Sequence, residues 1–221
     1  MEEGNDIPEY RLILLGETAV GKTCLFKKLT FGDFKEKNVS TIGIDRRTFN
    51  IKCNLEDKEG KAFSKEVKIN LTDTAGQERY KALTKSYYKS SDAAVILYDI
   101  TDKKTFENID DWIKSINSAS SHIDKNTYTI FLMGTKIDLV DSGQKEREVM
   151  EEEAIEKCEE NNMEWGGECS NKEFSDEKFK EIFAGFIKIM YKKLGDKKSQ
   201  QESLKLANYK SKKKRNLNYV N

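Results

Sequence analysis

Proline occurs once in this chain, at Pro8, ahead of the first apolar segment, so no downstream helix or strand is interrupted by a residue without an N–H. Histidine also occurs once, at His122, and the four cysteines (Cys24, Cys53, Cys158 and Cys169) lack C-x-x-C spacing. A Cys/His zinc site is thereby excluded, and the cysteines read as free thiols in a reducing compartment. No run approaches the roughly 18 apolar residues of a membrane span, and the opening Met1-Glu2-Glu3-Gly4 lacks the basic-then-apolar pattern of a secretory leader. The expectation is a soluble, cytoplasmic protein, in which the sequons at Asn38 and Asn70 are coincidental. Net charge is lacking too: Lys+Arg and Asp+Glu number 39 each, which removes any overall bias toward nucleic acid or anionic membrane.

What is present is a chain of 221 residues with 37% hydrophobic content, enough for one sizeable core. Apolar runs alternate with amphipathic stretches, the pattern of βα units around a mostly parallel sheet. Predicted strands are Arg11 to Leu15, Ile44 to Leu55, Phe63 to Thr72, Ala93 to Ile100, Tyr128 to Gly134 and Met163 to Glu168. The second and third meet across the polar turn Glu56 to Gly60 and read as an antiparallel hairpin with a charged tip, EDKEGKAFSKE. Helical periodicity covers Gly21 to Leu29, Thr105 to Ala119, Val149 to Asn161 and Asp176 to Leu194. The last puts Phe179, Ile182, Phe183, Phe186, Ile187 and Met190 on one core-facing stripe. The expected organisation is an N-terminal extension (1–9), one α/β domain (10–194) and a basic, disordered tail (195–221) whose charge is matched by an acidic excess elsewhere.

Three motifs carry chemistry. Within GETAVGKTCL, residues Gly16, Gly21, Lys22 and Thr23 satisfy G-x-x-x-x-G-K-[ST] between a strand and a helix, a match expected by chance in about one chain in a hundred of this length. Such a loop, Gly16, Glu17, Thr18, Ala19, Val20, Gly21, Lys22, Thr23 and Cys24 here, curls its N–H groups around phosphate oxygens. Lys22 adds charge at the outer phosphates, and the Thr23 hydroxyl reaches magnesium. Asp73-Thr74-Ala75-Gly76-Gln77 follows a strand. Asp73 would hold magnesium through water, Gly76 would offer an N–H to the γ-phosphate, and Gln77 would orient an attacking water. Finally, Asp138 in Thr135-Lys136-Ile137-Asp138 can accept from the ring N–H and the exocyclic amine of guanine, which selects GTP over ATP.

From Tyr10 to Leu194 the sequence resembles a small GTPase of the Ras superfamily, most closely the Rab family. The resemblance rests on GETAVGKT, STIGID (Ser40 to Asp45), DTAGQERY (Asp73 to Tyr80), SYYKSSDA (Ser86 to Ala93) and LYDITDKKTFENIDDW (Leu97 to Trp112). It implies a six-stranded, mostly parallel sheet with one antiparallel strand and five flanking helices. It also implies bound GDP or GTP with Mg²⁺, and slow hydrolysis accelerated by partner proteins. By the same resemblance, Thr41 binds magnesium and senses the γ-phosphate, Phe34 packs near base and ribose, and Ser170-Asn171-Lys172 corresponds to a loop whose backbone contacts guanine O6.

Several departures accompany the match. Thr135 stands where the family usually has asparagine, and Asn171 where it has alanine. Thr18 and Ala19 occupy positions often held by glycine or another small residue, which predicts low intrinsic hydrolysis. Two aromatics that build an apolar effector surface in Rab proteins are Arg46 and Thr72 here, leaving Tyr87 or Tyr88 as the aromatic member. The last cysteine is Cys169, so there is no C-terminal prenylation site in this sequence, and position 2 is not glycine. No stable lipid anchor is expected; the cluster Lys210 to Arg215 allows weak, salt-sensitive contact with anionic membranes, transiently at endomembranes. The expected function is a GTP/GDP switch regulating vesicle traffic, with an exchange factor, a GTPase-activating protein and effectors of non-standard type. The rival is a non-catalytic scaffold of the same fold.

Overall fold

The computed structural model describes residues 7–32, 44–57, 59–74, 88–119 and 127–194. Its strands are β1 (Glu9–Leu15), β2 (Ile44–Glu56), β3 (Ala62–Thr74), β4 (Ala93–Asp99), β5 (Thr129–Thr135) and β6 (Glu164–Cys169). They form one sheet in the order β2-β3-β1-β4-β5-β6, with β2 antiparallel to β3 and every other pair parallel. The helices are α1 (Lys22–Phe31), α2 (Lys103–Glu107), α3 (Ile109–Ser118), α4 (Ile137–Asp141), α5 (Glu151–Asn161) and α6 (Asp176–Leu194).

Alternation along the central strands explains the layering, since successive side chains leave opposite faces of a sheet. In β1, Tyr10, Leu12 and Leu14 enter one core while Ile13 and Leu15 enter the other; in β4, Ala93, Val95 and Leu97 are separated from Ala94, Ile96 and Tyr98 in the same way. All seven residues of β4 are buried, as a parallel strand covered on both faces requires. The first core is closed by α1 and by the predicted stripe of α6, of which Ile182 alone is only partly buried. The second is closed by Phe106, Ile109, Trp112, Ile113 and Ile116 from α2 and α3, and by Ala154 and Cys158 from α5.

The elements differ from expectation mainly at their ends. The stretch Thr105 to Ala119 is broken at Asn108, whose N–H bonds back to Lys104 O and so closes α2 before α3 starts. Asp102 caps α2 by accepting from Lys104 N, an entry signal with its own mechanism. β3 continues through Asp73 and Thr74, because the antiparallel register persists to Ile44↔Thr74. The short α4 was not anticipated; five residues are too few for periodicity to register. At the β2–β3 tip, Asp57 Oδ1 accepts from both Glu59 N and Lys61 N, and Gly60 takes φ +80°, so the charged tip is a side-chain-stapled turn.

Two long-range pairs fasten the edges. Arg11 and the buried Asp92 join the start of β1 to the residue before β4, with Arg11 N, Nε and Nη2 all donating to the carboxylate. Arg147 grips the nearly buried Glu168 with two bonds of 2.5 and 2.7 Å, tying the approach to α5 onto β6. None of the cysteines is in a disulfide; Cys53, Cys158 and Cys169 are buried and Cys24 is half-buried. Burial raises the thiol of Cys53 to about 11 and that of Cys158 to about 12. Among the described residues, no helix is long and apolar enough to cross a membrane.

Phe186 stacks on Phe131 of β5 at 4.1 Å between ring centroids, and it lies so close to Gly166 that a Cβ there would come within 2.9 Å of its ring. Phe186→Ala is expected to cost about 3–5 kcal/mol, read as a lower midpoint at unchanged slope in urea unfolding; a loss below about 1 kcal/mol would place this contact outside the core.

Candidate functional site

The parallel strands deliver their following loops to one edge of the sheet, and those predicted site residues that are described lie along it. Between β1 and α1 the backbone must turn sharply. Gly16, Ala19 and Gly21 all have positive φ, at 130°, 65° and 102°. A Cβ on Gly16 would lie 2.2 Å from Leu97 O, so backbone proximity to β4 alone requires glycine at this position. Ala19 holds a left-handed conformation despite its side chain, a local strain maintained by the surrounding loop. The loop then runs into α1, whose N-cap Gly21 makes no side-chain cap bond and whose first turn has no acidic residue. The N–H groups and positive dipole end of this helix suit an anion.

Lys22 curls back over this loop. Its Nζ donates to Gly16 O at 2.8 Å and to Glu17 O at 2.6 Å, and the residue is only 5% exposed. Burial lowers its pKa to about 8, opposed by the charges of Asp73 and Glu17. Glu17 is itself fixed, accepting from Trp112 Nε1 at 3.2 Å. Thr23 Oγ1 donates to Asp73 Oδ2 at 2.7 Å. The other oxygen, Asp73 Oδ1, is buried without a hydrogen-bond partner, and burial raises the pKa of this carboxyl despite the Thr23 bond and nearby lysines. A buried, unsatisfied carboxylate oxygen beside a threonine hydroxyl fits a hard cation that takes oxygen ligands and keeps much of its water, as magnesium does. Among the described residues there is no cluster of three or more His, Cys, Asp or Glu that would instead suggest an all-protein metal cage.

The other end of the site comes from β5 and β6. Thr135 is fully buried, with Oγ1 2.8 Å from both Val20 O and Tyr98 O. Lys136 takes φ +68°, and its Nζ pairs with Asp99 Oδ2 at 2.6 Å. Asp99, at the end of β4, also accepts from Thr101 N and Oγ1. Burial works to raise the Asp99 pKa, but the Lys136 and Thr101 bonds outweigh it and hold the carboxyl below its ordinary value. Asp138 lies half-buried in the first turn of α4, and its carboxylate has no hydrogen-bond or ion-pair partner among the described residues. Ser170 Oγ accepts from Lys172 N and Glu173 N, shaping the loop after β6, while Lys172 itself is exposed. Asn171 Nδ2 donates to Gly21 O at 3.1 Å and its Oδ1 is buried without a partner.

Phe34, Thr41, Gly76, Gln77 and Tyr87 lie outside the described residues. Of the remaining assignments, Thr18 is exposed, Val20 is buried, and Cys24 occupies the first turn of α1. Asp99 was missed as a member of this site. Its signal was present as an acidic residue ending an apolar strand, LYD, but only strand order reveals that the end of β4 adjoins Lys136. Of the two alternatives for the remaining aromatic, Tyr87 and Tyr88, only Tyr88 is described. It is fully buried, with its hydroxyl 3.3 Å from Ser115 Oγ, and so cannot offer an aromatic surface to a partner. Arg46 and Thr72 are direct cross-strand partners, and Arg46 Nε donates to Thr72 Oγ1 at 3.3 Å.

Comparison with known proteins accords with this geometry. The model of the Ras family matches residues 11–192. The chain belongs to the Ras family. The relatives of this Ras-family chain include Ras-related protein Rab-13 of Canis lupus familiaris, 40% identical over 147 residues that cover 66% of this chain and 64% of that protein. Ras-related protein Rab-1A of Dictyostelium discoideum is 36% identical over 132 residues (59% of this chain, 58% of that protein), and Ras-related protein Rab-8B of Homo sapiens is 35% identical over 148 residues (66% and 65%). The matched stretch thus spans less than two thirds of the length of each of these relatives. The sheet order, with one antiparallel edge strand, is the small G-domain fold that the resemblance implied.

Burial of Lys22 has a pH signature. Unfolded, its amine has the ordinary value of 10.5; folded, about 8. Between these values the unfolded chain binds more protons, so this residue's contribution makes stability rise with pH. In ligand-free protein, the stability of the wild type relative to Lys22→Met is expected to increase by about 3 kcal/mol across that window and to be flat below it, measured by urea unfolding at each pH. A constant difference throughout would mean that the ammonium is hydrated.

Proposed function

We propose that this chain is a GTP/GDP-binding switch that hydrolyses GTP slowly and regulates vesicle traffic. The observation that carries the reading is the pairing of Thr23 with Asp73, whose second oxygen is buried and unsatisfied, at the N-terminus of α1 beside Lys22. Asp138 stands at the same sheet edge with an uncommitted carboxylate, suited to the two N–H donors of guanine.

In this reading the loop from Gly16 to Cys24 wraps the phosphates and Lys22 compensates their charge. Thr23 and Thr41 would hold Mg²⁺ directly and Asp73 through water; the ion, when bound, offsets charge on the β- and γ-phosphates. Gln77 orients water for in-line attack, and Gly76 and Thr41 tie two loops to the γ-phosphate until hydrolysis frees them. Lys136, steered by Asp99, lies along the base, with Phe34 beside it and Ser170-Asn171-Lys172 beyond. An arginine that accelerates turnover would come from a GTPase-activating protein, and nucleotide release would depend on an exchange factor. Residues 1–9 and 195–221 flank this unit, and the basic run Lys210 to Arg215 adds weak, salt-sensitive attraction to anionic membrane.

The scaffold reading draws on Arg46 and Thr72. Their mutual bond makes the β2–β3 face polar where Rab proteins carry two aromatics, and large aromatics supply much of the binding energy at interfaces. A partner for this face would therefore match hydrogen-bonding groups rather than fill an apolar pocket.

Two experiments test these readings. Protein loaded with GTP in magnesium after EDTA exchange is expected to convert it to bound GDP over minutes to hours, with conversion at least ~10-fold slower in Gln77→Leu; GTP retained unchanged by the wild type would leave the scaffold reading. Separately, Arg46→Phe combined with Thr72→Trp is expected to create GTP-dependent capture by broad-specificity Rab effectors that the wild type lacks. Equal capture by both proteins would remove the proposed polar partner surface.

A further inference from the structure

Two successive carbonyls of the phosphate-binding loop are held by side chains from the base-reading end of the site. Thr135 Oγ1, at the end of β5, lies 2.8 Å from Val20 O; Asn171 Nδ2, just after β6, donates to Gly21 O at 3.1 Å. These bonds join segments 115 and 150 residues apart in sequence.

They are not equivalent. A threonine hydroxyl carries one proton, and Tyr98 O lies at the same 2.8 Å from Thr135 Oγ1 as Val20 O does, so the two carbonyls compete for one donor. The amide of Asn171 brings a second donor to the loop. Its approach depends on glycine at 21, where a Cβ would meet Asn171 Nδ2 at 2.5 Å. Asn171 is 7% exposed, which shields its bond from competition with bulk water, and its Oδ1 is left buried without a partner. The chain keeps a buried polar side chain only half satisfied in order to make this one contact.

We propose that Asn171 is a positioning residue that locks the phosphate loop to the base-reading loops and thereby slows nucleotide release, completing a bridge that Thr135 makes only in part. The proposal rests on the reading of this edge as a guanine-nucleotide site. A nucleotide spans both loops, so a bridge that already joins them reduces the ordering required on binding and the opening available for escape. The two substitutions that depart from the family pattern, Thr135 and Asn171, then act as one unit. An asparagine at 135 would bring an N–H₂ group with two donors, enough for Val20 O and a second acceptor, and would make the Asn171 bond redundant.

The test is release of a fluorescent GDP analogue from the full chain in magnesium, displaced by excess GDP. Asn171→Ala is expected to release it about 3–10-fold faster, the range of one neutral hydrogen bond. Thr135→Asn in the Asn171→Ala background is expected to restore the rate to within about twofold of wild type. Release from Asn171→Ala at the wild-type rate overturns the proposal, and so does an effect of Thr135→Asn that is the same in both backgrounds. Loss of thermal stability without faster release assigns Asn171 a merely structural role and also overturns it. If the wild type itself retains no GDP analogue, the guanine-nucleotide reading falls, and the proposal with it. Amide hydrogen exchange of residues 16–23 in the ligand-free protein then reports whether the bridge exists at all.

Discussion

Parallel pairing on both sides of β1 is the constraint from which the site follows. With β3 on one side and β4 on the other, the loop that begins at Gly16 has Asp73 beside it and the backbone of Leu97 beneath it. Parallel strands end on a common edge, so groups scattered over more than a hundred residues become neighbours without any long loop. Lys22 and Thr23 come from the helix after the first strand, Asp73 from the third strand, Asp99 from the fourth, Thr135 from the end of the fifth and Asn171 from just beyond the sixth. Burial on both faces makes this arrangement stiff, since no strand in the centre can shift register without exposing one core.

Charge is distributed along that edge in two different ways. Lys22 and Asp73 are both buried and both held away from their charged preference, whereas Asp99 and Lys136 satisfy one another. The first pair is poised to gain from a ligand that brings phosphate oxygens and a cation; the second is a finished ion pair that fixes a side chain in place. Desolvation separates these roles: a buried charge without a full set of partners marks where an outside group completes the set.

Much of this was legible in the sequence because the carriers are local. Gly16, Gly21, Lys22 and Thr23 declare a turn and an anion site within eight residues, and Asp73 and Asp138 follow apolar runs that can only be strands. Period-2 alternation in β2 and the stripe of α6 made the core readable. What escaped depends on contacts between distant segments. Asp99 acquires its role only when β4 lies beside β5. Tyr88 looked available because it sits in an aromatic, polar stretch, yet packing against α3 buries it. The resemblance assigns the loop at Asn171 a contact through its backbone, and no sequence pattern announces that the Asn171 side chain turns toward Gly21. Arg46 and Thr72 could each be seen as departures, but their register, and therefore their bond, belongs to the hairpin.

The unequal burial of the four thiols makes the protein chemically addressable. Attack on an electrophile requires a thiolate that is both formed and reachable. Cys53, Cys158 and Cys169 fail on both counts, being enclosed and shifted upward by that enclosure. Cys24 alone is partly open, one residue past Thr23 in the first turn of α1. A thiol-directed probe applied to the folded chain therefore has a single native address, beside the phosphate loop, where a dye or spin label would sense the state of the site with no engineered cysteine.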